Sequence, residues 1–410
     1  MVVPAGEARQ RPAGPPGPGG DLRRTPGPRR LAHALPPPPR MPNARPTDSP
    51  PDAPADAPDD APYDVAIVGG GPAGLSAAIW LGRYLHRVAL IDSGDPRNWE
   101  TRGVNGYLGL PGIRPAELRG AGRDEARKYD VALIDGVVAT ARCEARDRFV
   151  LTYDPMPVTK AGDGLPGSGR VRAPEDNAPR PSTRPLVARR LLLAIGLKDV
   201  WPRVPGLEQI YGNRAHVCPD CDGYDARGRK AVVLGHGRKA VGMALNLLTW
   251  TDDVTVCTNG EDPGFDAELA GKLAENGVAV RPERVTCLRF REDDLRSLEF
   301  EAGPPLGVEK IFFAIGQYPA DDLAAQLGCD RDEDGHVLVD DAYHTSVYNV
   351  FAAGDLVPGP QLGVAAAADG AIAALAIHKS LVPAERKLRR PGGRDSKPSR
   401  QTGWEAGGAR

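Results

Sequence analysis

One local signature occurs twice in the chain, and that repetition limits the fold more than any other feature. Asp64-Val-Ala-Ile-Val68 is a continuous apolar run, followed by Gly69-Gly-Gly71-Pro72-Ala73-Gly74, a helical stretch from Leu75 to Leu85 and a second apolar run from Arg87 to Ile91. Further along, Lys230-Ala-Val-Val-Leu234, Gly235-His-Gly237-Arg-Lys-Ala240, a helical stretch through Trp250 and the run Asp253 to Cys257 repeat the order. Each reads as a strand, a glycine-rich turn, a helix and a parallel strand. Two more runs, Leu191 to Gly196 and Ile311 to Gly316, share the ending Ala-Ile-Gly and read as the closing strand of each unit. The fold class is therefore α/β with parallel sheets.

The glycine spacing has a chemical use. The first glycine makes the tight turn, the second lets backbone amides approach a pyrophosphate, and the third position, Gly or Ala, lets helix and strand pack closely. In the first unit Asp92 follows the second strand, where a carboxylate accepts hydrogen bonds from the ribose hydroxyls of an adenosine. At the matching place the second unit has Thr258-Asn259-Gly260, neither an acid for an NADH ribose nor an arginine for an NADPH phosphate. Arg238 and Lys239 remain available for a phosphate there.

Composition marks three stretches as unlike the rest. Residues 1–61 hold 17 of the 42 prolines by residue 60, with arginine dominating positions 9–45, so this segment is expected to be disordered. Met41 offers a second possible start. The insert 154–185, rich in Pro and Gly, and the basic tail 384–410 carry the same expectation. Net charge is −2, giving no overall bias toward nucleic acid, and the arginine runs read as solvated segments. No apolar stretch is expected to approach the roughly 18–20 residues a membrane helix requires and no signal peptide is recognised, which gives the expectation of a cytoplasmic protein.

Six cysteines are too few for a disulfide framework, and only Cys218 and Cys221 are close. Cys218-Pro-Asp-Cys221 suits a redox disulfide at a turn entering a helix. A zinc half-site is the rival, but no second Cys-x-x-Cys or His pair completes four ligands, so no metal is expected. Asp222 follows directly and could hold a proton for a departing thiolate, or cap a helix. Asp220 opposes thiolate formation by like-charge repulsion. His216 reads as a satisfied turn or core histidine.

In order, GGGPAG, the CPDCDG segment, the second glycine loop and NVFAAGDLVPGPQLGVAAAADGAIAA resemble the low-molecular-weight thioredoxin reductase family, over roughly residues 62–380. The resemblance implies two Rossmann-like dinucleotide-binding domains of the three-layer ββα sandwich type. The first, binding FAD, would comprise 62–209 and 321–383; the second, 210–320, would be inserted in it, would bind NADP or NAD and would carry the cysteines. It implies FAD contacts at Gly69, Gly71, Pro72, Ala73, Gly74, Asp92, Gly354, Asp355, Gln361 and Val364, and nicotinamide-nucleotide contacts at Gly235, Gly237 and Ala240. A helix starting near Gly363 would aim its N-terminus at the flavin, and hinges would lie at 206–211 and 317–320.

The implied cycle passes hydride from NAD(P)H to the flavin, then electrons to the disulfide through Cys221. Cys218 then attacks the disulfide of a thioredoxin-like protein or small molecule, with Asp222 supplying the proton. A homodimer is implied as well. Thr258-Asn259-Gly260, Gln361-Leu362 and Asn105-Gly-Tyr-Leu-Gly109 are closer to the related FAD-dependent dithiol oxidases, which pass electrons to oxygen without nicotinamide. That is the alternative reading, although those oxidases commonly carry His where this chain has Asp222.

Overall fold

A computed structural model describes residues 61–98, 101–156, 183–291 and 294–388. The segments expected to be disordered, 1–61, 154–185 and 384–410, lie outside these residues except at their edges.

The first glycine signature builds β1 (Tyr63–Val68), α1 (Pro72–Arg83) and β2 (Val88–Asp92). α2 (Pro115–Arg127), β3 (Ala132–Ala145), β4 (Arg148–Pro155) and β5 (Arg184–Leu193) follow. β1 pairs in parallel with both β2 and β5, and β2 with β3, giving the parallel layer. The far ends of β3 and β5 leave that layer and sandwich β4 in an antiparallel meander. β4 runs to Pro155 and β5 starts at Arg184, so the expected insert 154–185 begins and ends inside sheet hydrogen bonding.

The chain crosses to a second unit at β6 (Leu197–Asp199), and there the structure corrects a boundary. The expected linker 206–211 is part of the second unit's core, because Leu207, Ile210 and Tyr211 are buried with Leu234 and Phe313. The crossing sits earlier, where β6 pairs antiparallel with the returning strand.

The second unit contains β7 (Ala215–His216), α3 (Pro219–Asp222), β8 (Ala231–Gly235), α4 (Gly237–Leu247), β9 (Val254–Cys257), α5 (Ala267–Glu275) and β10 (Ala279–Arg281). β11 (Val285–Arg291), β12 (Asp294–Phe300) and β13 (Leu306–Gly307) form its meander, and β14 (Lys310–Ala314) closes its parallel sheet in the order β10-β9-β8-β14-β7. One core lies between that sheet and the meander, the other beneath α4 and α5. This is the three-layer plan of the first unit again.

The returning strand is β15 (Gln317–Pro319). α6 (Leu323–Gln326), β16 (Val350–Ala352) and α7 (Gly363–Leu381) complete the first unit, with β16 added beside β5. α7 corrects another expectation: its 19 residues are long and apolar enough by composition to cross a membrane. The composition has a different cause here. Ala366, Gly370, Ala373, Ala374 and Ile377 are buried in the core that α1 shares. A β-carbon on Gly370 would lie 2.0 Å from the Ala73 carbonyl oxygen, so only glycine allows the two helices this approach.

Candidate active site

Both glycine loops show the packing their spacing predicts. A β-carbon on Gly69 would meet the Ala194 carbonyl oxygen at 2.2 Å, and one on Gly235 would meet that of Ala314 at 2.5 Å. The two Ala-Ile-Gly runs are thus the strand ends that close onto the first glycine of each loop, a role the sequence alone did not reveal. A β-carbon on Gly74 would strike the Gly69 carbonyl oxygen at 1.9 Å, whereas the space beside Gly71 is open. Pro72 starts α1, and Gly71 caps it with no side-chain hydrogen bond. This open cradle of backbone amides fits a pyrophosphate.

Asp92, the expected ribose acceptor, is buried at the end of β2 and lies over the loop at Gly70. Its Oδ1 accepts from the Gly94 amide at 3.2 Å, and its Oδ2 is paired with Arg119. Arg123 Nη1, buried without a hydrogen bond, lies 3.7 Å from the same oxygen. Neither arginine was foreseen; both sit on α2, four residues apart on one face.

Gly354 and Asp355 open a short turn after β16, with Gly354 at φ +75° and close to Ala73. Arg97 joins this corner to the crossing strands. Its guanidinium holds Asp199 bidentately at 2.6 and 2.7 Å, and reaches Asp355 at 3.2 Å and Gln361 at 2.7 Å. Gln317 completes the net by bonding Asp199 and Gln361 at 3.0 Å each. Burial pushes the Asp355 carboxyl up, against the pull of Arg97. Val364 lies in the first turn of α7 and is half exposed; that helix starts without a side-chain cap. The structure places Gly69, Gly71, Pro72, Ala73, Gly74, Asp92, Gly354, Asp355 and Gln361 on one unit.

In the second unit Gly235 and Ala240 pack as a dinucleotide loop requires. The Gly237 amide, however, donates to the Pro263 carbonyl at 2.7 Å, and Lys239 pairs with Asp334 at 2.7 Å. Thr258 and Asn259 serve the local loop: the Thr258 hydroxyl bonds the Glu261 carbonyl and Asn259 Oδ1 accepts from the Val285 amide.

Cys218 and Cys221 are joined in a disulfide, with Cα atoms 5.3 Å apart. Cys218 is the N-cap of α3, and its sulfur accepts from the Cys221 amide at 3.1 Å. Asp220 turns away, its carboxylate accepting from Asn246 at 3.1 Å in an exposed setting, which weakens its repulsion at sulfur. Among the described residues no cluster suits a metal ion.

Asp222 stands at the N-cap position of the short turn that follows it, but its side chain makes no capping hydrogen bond. Its Oδ1 accepts from Asn105 Nδ2 at 3.3 Å, and its Oδ2 lies 3.3 Å from His216 Nδ1. Asn105 Nδ2 also reaches the Cys221 carbonyl at 3.1 Å. A β-carbon on Gly363 would lie 3.7 Å from Val104, so the Asn105 loop bridges the cysteine turn to the start of α7. The disulfide-bearing turn thus sits against the unit that holds the FAD cradle.

Two dinucleotide folds, with a bonded cysteine pair on the second facing the first, define an oxidoreductase that links a flavin to disulfide chemistry. The family model described as pyridine nucleotide-disulphide oxidoreductase matches residues 63–370, and the chain belongs to that family. It is similar to the thioredoxin reductase tcpT of Claviceps purpurea, 29% identical over 71% of this chain and 86% of that protein. It is also similar to the thioredoxin reductase of Bacillus subtilis, 25% identical over 77% of this chain and 93% of that one. The crystal structure of HlmI superposes with a TM-score of 0.67 and 31% identity, covering 78% of this chain and 93% of that one. The protein is an FAD- and NAD(P)-dependent enzyme of the thioredoxin-reductase-like branch.

Proposed function

We propose that the enzyme reduces the disulfide of a thioredoxin-like protein or a small molecule, using Cys218 and Cys221 as its redox pair. The observation that carries this is the contact of Asn105 with both Cys221 and Asp222, which brings the disulfide to the flavin unit. The Gly69–Gly74 loop, Asp92, Asp355 and the start of α7 would hold FAD, which when bound would supply the relay of an electron pair between nicotinamide and disulfide.

The chain's own residues do the rest. The Cys221 amide, already directed at the Cys218 sulfur, stabilises negative charge there once the bond is reduced, which makes Cys218 the attacking thiolate. Asp222 supplies the proton to the departing sulfur. A nucleotide phosphate at this loop would have to compete with the Pro263 carbonyl for the Gly237 amide. The relatives carry the name thioredoxin reductase, so the dithiol oxidase alternative is not favoured.

A cytoplasmic homodimer is part of the proposal, supported by the few cysteines and by exposed apolar side chains on α1 and α7, among them Trp80, Ile372 and Leu375. Sedimentation tests the dimer. For the chemistry, Cys218→Ser and Cys221→Ser should each abolish NAD(P)H-driven disulfide reduction while flavin bleaching by the nucleotide persists. Full disulfide reduction by either variant would refute the assignment.

A further inference from the structure

Behind Asp222 lies a buried line of groups that the cycle above does not use. His216 ends β7 and Lys310 begins the adjacent strand β14; each is 4% exposed. Lys310 Nζ donates to the Asn213 carbonyl at 2.7 Å and lies 3.1 Å from His216 Nε2. His216 Nε2 also lies 3.1 Å from the Asn213 carbonyl, but an Nε2–H donated there would point a donor at the Lys310 ammonium, so with Lys310 charged Nε2 presents its lone pair and the proton sits on Nδ1. That proton faces Asp222 Oδ2 at 3.3 Å. The order Lys310, His216, Asp222 is therefore set by donor and acceptor chemistry, and it ends at the residue beside the disulfide.

Resting on the redox role of Cys218 and Cys221, we propose that His216 and Lys310 are positioning residues that reload Asp222 with the proton it gives to the leaving sulfur. One proton shifts from Lys310 Nζ to His216 Nε2 while another shifts from His216 Nδ1 to Asp222 Oδ2. An ammonium and a carboxylate become an amine and a carboxylic acid with no change in net charge, and burial of Lys310 lowers the cost of giving up its proton. The Cys218 thiolate then attacks the substrate disulfide. The new S–S bond forms as the old one breaks, the electron pair leaves with the departing sulfur, and that sulfur takes the Asp222 proton. The relay resets when His216 returns its Nε2 proton to Lys310 and takes onto Nδ1 the one proton that the overall reaction of NAD(P)H and a disulfide to NAD(P)+ and two thiols draws from water.

The surroundings support this use of Lys310. Burial lowers its pKa to about 8; Asp225 and Asp222 oppose that shift, and Arg214 and Arg229 add to it. An ordinary lysine gives up its proton far less readily. The proton is present below that pH and lost above it, so disulfide reduction should fall as pH rises through about 8.

The test uses the FAD-loaded full chain with two probes, hydroxyethyl disulfide, whose leaving thiolate needs a proton, and dithiobis(nitrobenzoate), whose leaving thiolate does not. Lys310→Met and His216→Gln should each lower kcat for the aliphatic probe on the order of tenfold or more and spare the aromatic probe. Lys310→Met should also remove the alkaline limb near pH 8. The relay is overturned if the wild-type rate on the aliphatic probe is flat across that pH, or if both variants slow the two probes equally. If Cys218→Ser still turns over both probes, the redox assignment itself has failed, a separate outcome.

Discussion

Asn105 Nδ2 donates to the carbonyl oxygen of Cys221 at 3.1 Å, tying a loop of the first unit to the redox turn of the second. Its second contact, to Asp222 Oδ1, makes one side chain the polar link between acid, disulfide and flavin unit. Asn105→Ala should remove about 1 kcal/mol from this docked arrangement and slow electron transfer from flavin to disulfide about fivefold. Stopped-flow reoxidation of the flavin by the disulfide measures it; an unchanged rate would show that the contact is incidental.

Arg97 is buried between Asp199, Asp355 and Gln361. Arg97→Met leaves two carboxylates without their cation and should destabilise the fold by about 3 kcal/mol. Because Asp355 belongs to the FAD site, flavin retention should fall as well. Thermal melts and the flavin-to-protein absorbance ratio check both expectations.

Gly370→Ala places a methyl against the Ala73 carbonyl, in backbone that has no flexible side chain to move aside. The expected cost is about 2 kcal/mol. Since Ala73 is part of the first glycine loop, FAD affinity should drop with stability, whereas Gly120→Ala, facing open space on α2, should do neither. Melting curves with and without added FAD separate the two effects.

Asp64 has its pKa lowered to about 2, first by His86 3.8 Å away and then by hydrogen bonds from the Arg87 amide and Arg189. A carboxylate whose folded pKa is depressed stabilises the fold above its unfolded value of 3.8, and that stability is lost as pH falls through about 2. Asp64→Asn should therefore cost about 2 kcal/mol at neutral pH and converge on the wild type in strong acid. Denaturant midpoints across this range test the sign.

The repeated glycine loops, Asp92, the cysteine pair and Gly354-Asp355 were legible because each depends on residue type at fixed local spacing. Arg97, Arg119, His216 and Lys310 were not, since their meaning comes from partners far away in sequence. Lys310 left a faint trace, a lysine at the head of the apolar strand Ile311 to Ala314. The helix α7 was expected from Gly363, but its apolar length was missed because its many small residues, which reflect close packing on α1, do not read as a continuous apolar run. The boundary at 206–211 failed because its glycine and turn pattern hid the buried Leu207 and Ile210.

The central claim is that electrons pass between the flavin and the sulfurs of Cys218 and Cys221. Anaerobic titration of the FAD-loaded chain with NADPH tests it most directly. The wild type should accept two electron pairs before excess nucleotide accumulates, and Cys218→Ser/Cys221→Ser only one, with its flavin bleaching from the first addition. Equal uptake by both proteins would contradict the account.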